Sequence, residues 1–237
     1  MANEIDFESG FDELALDAGL SRRNLGQQMT DLLRRMVIEG KLRVGQRLVE
    51  QRLAEGLGIS RTPVREALHR LAQEELLCKR SRGGYEVRPL TPEEVEDAEG
   101  LRAVLEAYAA ERAASRCGPE LRAVLERNLD EFEQALADKD EERLVALNSQ
   151  FHHLLHQAAD STLLSRQLGE LEVTVERISR ALISNMAAGS WSCDEHRAIY
   201  MAIREGSPAL AAKLAREHVA HGGTWIVARM REENLAI

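Results

Sequence analysis

Glu50-Gln51-Arg52-Leu53-Ala54-Glu55-Gly56-Leu57-Gly58-Ile59-Ser60-Arg61-Thr62-Pro63-Val64-Arg65-Glu66-Ala67-Leu68-His69-Arg70-Leu71-Ala72-Gln73-Glu74-Glu75 is the stretch on which the fold turns. It reads as two short helices joined by a tight turn. Leu53, Ala54 and Leu57 make the apolar face of the first helix. Gly58 is suited to the left-handed conformation that ends it. Ser60 is a good N-cap for the second helix, and Pro63 is tolerated in a first turn, where backbone N–H groups have no intrahelical partner. Val64, Ala67, Leu68 and Leu71 then recur at helical spacing and mark a buried stripe. This is the helix-turn-helix pattern, whose second helix enters the DNA major groove by its N-terminal residues.

The residues at that N-terminus suit the task. Arg61 and Arg65 are four apart and share a face roughly opposite the Val64–Leu68–Leu71 stripe. Arginine matches both the O6/N7 edge of guanine and phosphate. Ser60, Thr62 and the helix N-terminus add phosphate donors. A solvated basic helix in an all-α domain has the same pattern, so the motif alone leaves both readings open.

A longer comparison decides between them. Gly45-Gln46-Arg47-Leu48, Leu53-Ala54, Ile59-Ser60-Arg61-Thr62-Pro63-Val64-Arg65-Glu66-Ala67-Leu68 and Leu71 resemble the winged-helix domain of the GntR family of bacterial transcription regulators. The resemblance implies a dimer that binds a short palindromic operator and responds to a small molecule held by the C-terminal domain. Two positions depart from the family pattern. Glu75 stands where glycine is frequent, and Gln51 where many relatives place a basic DNA-contacting residue beside which Arg52 lies here.

The chain has 237 residues, with 44% hydrophobic and only 4% aromatic side chains. That composition supports a full core and argues against a β-sandwich or a base-stacking platform for single strands. No apolar run approaches a membrane span, and the acidic N-terminus is unlike a signal peptide. Cys78, Cys117 and Cys193 are scattered and odd in number, as expected of a reduced, cytoplasmic protein, and form no zinc-finger spacing.

The net charge of −9 hides a division. Residues 21–91 carry 15 Lys and Arg against 8 Asp and Glu; residues 1–20 carry 6 acids and no base; residues 92–237 carry 16 bases and 26 acids. A basic module is fused to an acidic one. Since screening confines charge effects to about 8 Å at physiological salt, the basic module can still meet phosphate.

Residues 1–20 read as a disordered acidic tail, with an arm packed on the protein as the alternative. Residues 25–39 form a helix ended by Gly40, and residues 46–49 a short strand. Leu77–Lys79 and Tyr85–Arg88 pair as a hairpin around Arg80-Ser81-Arg82-Gly83-Gly84. Arg82 and Gly83 in that wing suit DNA backbone or minor-groove contact; an ordinary solvated hairpin is the alternative. Thr91, Pro92 and Glu94 form a capping box that opens the second domain. The expected domains are therefore the tail 1–20, a winged helix-turn-helix with a small β-wing over 21–89, and an antiparallel all-α bundle over 90–237. Gly118-Pro119, Asp138-Lys139-Asp140, Asp160-Ser161, a capping box at Ser192–Glu195 and Gly206-Ser207-Pro208 divide that bundle into about six helices.

Six of the seven histidines follow residue 150. Asn148 and His152 share a helix face, His196 is expected in the first turn of its helix, and His218 lies on the last helix. Imidazoles from three helices make a metal site, but His153, His156 and His221 are neighbours of these, so spacing alone does not choose the ligands.

Residues 92–231 resemble the FCD domain of the FadR subfamily, in its six-helix, VanR-like variant. The matching pieces are Leu101-Arg102-x-x-Leu105-Glu106-Ala107, Asn148-x-x-Phe151-His152, Glu195-His196-x-x-Ile199 and the helix ending in His218. The resemblance implies a divalent metal, zinc first, with nickel or manganese as alternatives, held by Asn148, His152, His196 and His218. Asn148 stands at the family's aspartate, which weakens one ligand and is expected to make the site more positive. Arg102 matches an arginine that grips a carboxylate effector; a salt bridge with Glu99 or Glu106 is its plain structural role.

The reading that results is a non-enzymatic DNA-binding regulator, a repressor by family habit, dimeric, and switched by a small carboxylate beside a metal. Its DNA-contacting residues are Arg52, Ser60, Arg61, Thr62, Arg65, Arg82 and Gly83, and it has no membrane partner. A regulator answering to metal alone is the alternative. A metal-dependent hydrolase ranks below both, because His152-His153-x-x-His156 lacks the general-base glutamate of HExxH.

Overall fold

The computed structural model describes residues 25–81 and 83–237. The expectations for residues 1–20 and for Arg82 lie outside the described residues. The chain divides into two compact units, one ending at Pro89 and one beginning at Leu90.

In the first unit, helix α1 (Leu25–Ile38) is followed by strand β1 (Arg47–Leu48), helices α2 (Glu50–Gly56) and α3 (Arg61–Gln73), and strands β2 (Leu77–Lys79) and β3 (Tyr85–Val87). The strands form an antiparallel sheet of order β1-β3-β2, with Leu48 opposite Tyr85 and Leu77 opposite Val87. α3 packs against both α1 and α2, and Met29, Leu33 and Met36 of α1, Leu53 of α2 and Val64, Ala67, Leu68 and Leu71 of α3 are all buried. Burying each such side chain is worth about 1.5–3 kcal/mol, which is what fixes the rotation of α3 and turns Arg61 and Arg65 outward. Gly58 adopts φ +61°, the left-handed turn between α2 and α3. Gly84 is required for a different reason: a Cβ there would lie 2.8 Å from the Leu48 carbonyl oxygen.

The departure at Glu75 has a structural cost. Its φ is +58°, a conformation that strains any side chain with a Cβ. The Arg88 guanidinium donates to the Glu75 carbonyl at 2.7 Å and holds the turn. Glu75→Gly is therefore expected to stabilise the protein by about 0.5–1 kcal/mol, since strain relief exceeds the entropy that glycine adds to the unfolded chain. A rise in the urea midpoint at constant slope is the expected observation; an unchanged or lower midpoint would contradict it.

The second unit is a bundle of α4 (Pro92–Arg116), α5 (Pro119–Asp138), α6 (Glu141–Ala159), α7 (Thr162–Ile183), α8 (Met186–Arg204) and α9 (Pro208–Glu233). The Thr91 box is present: Glu94 N–H donates to Thr91 Oγ1 at 3.2 Å, and Thr91 N–H to Glu94 Oε2 at 2.9 Å. Lys139 and Asp160 turn the chain in left-handed conformations. Alanines at 103, 107, 109, 110, 113 and 114 make α4 a thin rod, and its neighbours close around it. The approach of α9 is tight enough that a Cβ on Gly223 would meet Glu99 Cβ at 2.9 Å. Among the described residues, no helix is long and apolar enough to cross a membrane.

One boundary differs from the sequence reading. Ser192–Glu195 is not a cap, because α8 begins about two turns earlier at Met186. Asn185 Oδ1 accepts from the N–H groups of Ala187 and Ala188 at 3.1 and 3.3 Å and starts the helix there. Gly189, which looks like a breaker, lies inside the helix where a Cβ would crowd Leu136 at 3.2 Å. His196 is consequently a mid-helix residue, held rigidly on both sides.

Candidate functional site

On the DNA-reading side, Ser60 occupies the N-cap position of α3 with extended backbone (φ −71°, ψ 156°), but its side chain makes no capping hydrogen bond. Its hydroxyl therefore stands exposed beside Arg61 and Thr62, which are exposed too. The Arg61 and Arg65 side chains are 58% and 63% exposed and lie side by side. Glu50, at the start of α2, clamps both. Its carboxylate accepts from Arg61 Nε at 2.9 Å and from Arg65 Nε and a terminal nitrogen at 3.0 and 2.8 Å. The two guanidinium groups of Arg65 and Arg61 hold the Glu50 carboxyl below its usual range. Arg52 is exposed on α2. Gly83 is at the wing tip with φ +85°.

In the second unit, three helices deliver His152 (α6), His196 (α8) and His218 (α9) to one buried point, with a nitrogen from each within 4.8 Å of the others. His196 is fully buried, stacked on Phe151 at 4.0 Å between ring centroids and met edge-on by Phe132 at 5.9 Å. Its Nε2 faces His218 Nε2 at 3.1 Å. A carboxylate fixes one outer nitrogen: His218 Nδ1 lies 2.7 Å from Glu195 Oε2, which directs its Nε2 to the common point in the usual carboxylate–histidine–metal arrangement. His152 Nδ1 lies 3.1 Å from Glu106 Oε1 without a hydrogen bond, and His196 Nδ1 has no hydrogen-bond partner among the described residues.

Burial pushes the His152 imidazole down to about 3, and burial with the neighbouring imidazoles pushes His196 well below its ordinary value. Both are therefore neutral at pH 7, as ligands must be. Two nitrogens at ~2.1 Å from one ion are roughly 3.0–3.4 Å apart, so the 3.1 Å separation of His196 and His218 fits a shared cation. Three imidazole nitrogens suit zinc or nickel better than calcium or magnesium.

The other histidines have other partners. His156 Nε2 bonds Glu106 Oε1 at 2.9 Å, His153 Nε2 reaches Glu172 at 3.3 Å, and His221 Nδ1 bonds Glu195 at 2.7 Å. Asn148, a turn before His152, is buried and lines a cavity of about 370 Å³ together with Arg102, Glu106 and His152. Arg102 takes both of its plain partners at once, Glu99 at 3.4 Å and Glu106 at 3.5 Å, while remaining in the cavity wall.

Residues 25–87 match the bacterial regulatory proteins of the gntR family, and residues 99–221 match the FCD domain, which spans more than half of the chain. The chain belongs to the GntR family, in its FCD-containing branch. It is 30% identical over 202 residues to a probable D-xylose utilization operon transcriptional repressor of Paenarthrobacter nicotinovorans, covering 85% of this chain and 88% of that one. It is 33% identical over 129 residues to the uncharacterized regulator YdhC of Bacillus subtilis (strain 168), where the match spans 54% of this chain and 58% of YdhC. The structure of E. coli McbR/YncC shares the fold, with a TM-score of 0.73 at 23% identity over 88% of this chain and 99% of that one. The family consists of transcription regulators that bind DNA operators, not of enzymes.

Two carboxylates border the site: Glu106 is buried at its edge, and Glu195 stands behind His218. Burial alone would raise the Glu106 carboxyl, but His156 and His152 outweigh it and hold it well below the usual carboxylate range. In the sequence, Glu106 and Glu195 stand out only as members of the matching motifs and as helix or cap neighbours, and Glu50 has no assigned role. The signal available was weak: each joins residues on helices far apart in the chain.

The neutral, buried histidines set a pH dependence. In the unfolded chain, each returns to about 6.5. Below that pH the unfolded state binds protons that the native state refuses, so stability falls as pH drops from 6.5 toward the folded values. For the metal-free protein, the expected loss is about 1.4 kcal/mol per pH unit for each histidine, read as urea midpoints at pH 7 and 5. Equal midpoints would show that the imidazoles are not buried in neutral form.

Proposed function

We propose that the protein acts as a homodimer that reads a palindromic operator with its two α3 helices, and that a small carboxylate bound beside a divalent ion on His152, His196 and His218 switches it. The observation that carries this reading is the convergence of three imidazoles from three helices, one of which, His152, lines a cavity of about 370 Å³. Such a volume suits a small metabolite. Zinc is the expected ion, with nickel or manganese as alternatives, and Asn148 offers a neutral oxygen as a fourth ligand. The ion supplies a positive centre for a ligand carboxylate. Arg102, already oriented by Glu99 and Glu106, presents its guanidinium to the same cavity.

Ser60, Arg61, Thr62 and Arg65 read the major groove, with Arg52 beside them and Arg82 and Gly83 on the wing. Half-sites for a dimer repeat about 34–36 Å apart or at multiples of that distance, so a ligand that shifts the spacing of the two α3 helices changes operator affinity. Repression, as in the D-xylose utilization repressor relative, fits a regulator whose ligand releases DNA.

The test has two arms. Selection from random DNA by the full-length protein is expected to return an inverted repeat. Thermal shift of the zinc-loaded protein against a panel of small acids is expected to find a ligand that also changes affinity for that repeat. Non-palindromic enrichment would remove the dimer reading. Metal-dependent DNA affinity with no responsive acid would leave the ion itself as the signal.

A further inference from the structure

The cavity beside the histidines carries more acid than a carboxylate ligand alone would favour. Its walls include Glu106 from α4 and Glu172 and Glu176 from α7, against the single guanidinium of Arg102. That guanidinium is already shared between Glu99 and Glu106. Glu172 and Glu176 are four apart on α7 and therefore project together. Burial and the charge of Glu172 raise the Glu176 carboxyl and outweigh the opposing pull of His153 and Arg180, while Glu172 has His153 Nε2 at 3.3 Å.

Glu106 gives a second and independent sign. It is 1% exposed, its Oε1 is bonded to His156 Nε2 with His152 Nδ1 3.1 Å away, and its Oε2 accepts no hydrogen bond from any described residue. A buried carboxylate oxygen without a donor costs about 1–3 kcal/mol or more, and here it belongs to a residue of the cavity wall. The missing partner is a hydrogen-bond donor carrying positive charge.

We infer that the ligand of this cavity is a small zwitterion, an amino-carboxylate whose ammonium group is received by Glu106, Glu172 and Glu176 while its carboxylate turns to the histidine-bound ion. The inference rests on the proposed small-acid reading of the site and adds the cation. The charge balance supports it. The acids of the wall outnumber its one guanidinium, which Glu99 also shares. A plain carboxylate adds to that excess of negative charge, whereas a zwitterion adds none. An ammonium group also supplies up to three donors to the surrounding carboxylate oxygens.

The test uses the zinc-loaded full chain and matched probes: α-, β- and γ-amino acids of two to six carbons, the same carboxylic acids without nitrogen, and the same amines without carboxylate. Isothermal titration is expected to find an amino acid that binds at least tenfold more tightly than both of its truncated counterparts. In Glu172→Gln/Glu176→Gln, that preference over the nitrogen-free acid is expected to fall below threefold, with zinc content unchanged. Nitrogen-free acids binding as tightly as amino acids would overturn the inference and leave the small-acid reading in place. Amines binding as tightly without a carboxylate, or no member of any series binding, would overturn both. A preference that survives in the double variant would show that these glutamates do not receive the cation.

Discussion

Arg65→Ala is expected to abolish specific operator binding while leaving zinc content and thermal stability unchanged. Arg65 is highly exposed and, among the described residues, its side-chain hydrogen bonds go to Glu50, so its removal costs the fold little. On DNA, a bidentate arginine–guanine contact is worth about 1–3 kcal/mol. Both half-sites of a dimer lose it together, so the expected loss is roughly 30-fold to more than 10⁴-fold in affinity. Anisotropy titration of the selected operator at fixed salt measures this. Arg65→Lys separates charge from shape: it is expected to recover non-specific binding but not sequence discrimination, because lysine lacks the bidentate fork. Operator affinity within threefold of the parent protein would remove α3 from the interface.

The Glu50 clamp gives this experiment a second dimension. In the free protein, one carboxylate holds both guanidinium groups, and that contact has to rearrange or be shared when phosphate or guanine arrives. The local charge of the reading face is thus lower than Arg61 and Arg65 suggest, and the salt dependence of binding reports how many cations reach phosphate.

The second large effect concerns the metal. Zinc at 100 times its dissociation constant is expected to stabilise the protein by about 2.7 kcal/mol, which for a chain of this size is roughly 5–11 °C in Tm. His196→Ala is expected to lose that shift entirely. His196 is also a packed ring between Phe151 and Phe132, so the variant starts from a lower Tm in the absence of metal. The diagnostic quantity is therefore the zinc-dependent shift and not the absolute Tm. His221→Ala, which removes a ring whose Nδ1 bonds Glu195 but which is not among the three converging imidazoles, is expected to keep most of the shift. Equal shifts in the parent protein and His196→Ala would place the metal elsewhere.

The helix-turn-helix was legible because its signals are local. Gly58, Ser60, Pro63 and the Val64–Leu71 stripe lie within one stretch, and the structure keeps their spacing. The Thr91 box was legible for the same reason. Ser192–Glu195 has the same residue types yet lies inside α8, because Asn185 caps the helix earlier and Gly189 is accommodated by close packing against Leu136. A capping signal is a local preference, and tertiary packing outweighed it here.

The histidines show the other limit. His152 and His156 share a helix face, and so, nearly, do His218 and His221, so helical periodicity could not separate ligand from neighbour. What separates them is the rotation of α6 and α9 in the bundle, which directs His152 and His218 inward and leaves His156 and His221 to Glu106 and Glu195. Those glutamates reach residues on other helices, 50 and 26 positions away in the chain. Contacts of that kind have no periodic signature in one sequence.

Metal analysis of the purified, untagged protein tests most directly whether the three imidazoles form a metal centre despite asparagine at position 148. The expected result is about one divalent ion per chain, lost in His196→Ala while the variant stays folded. A folded parent protein that carries no ion, even after incubation with zinc, nickel or manganese, would contradict it.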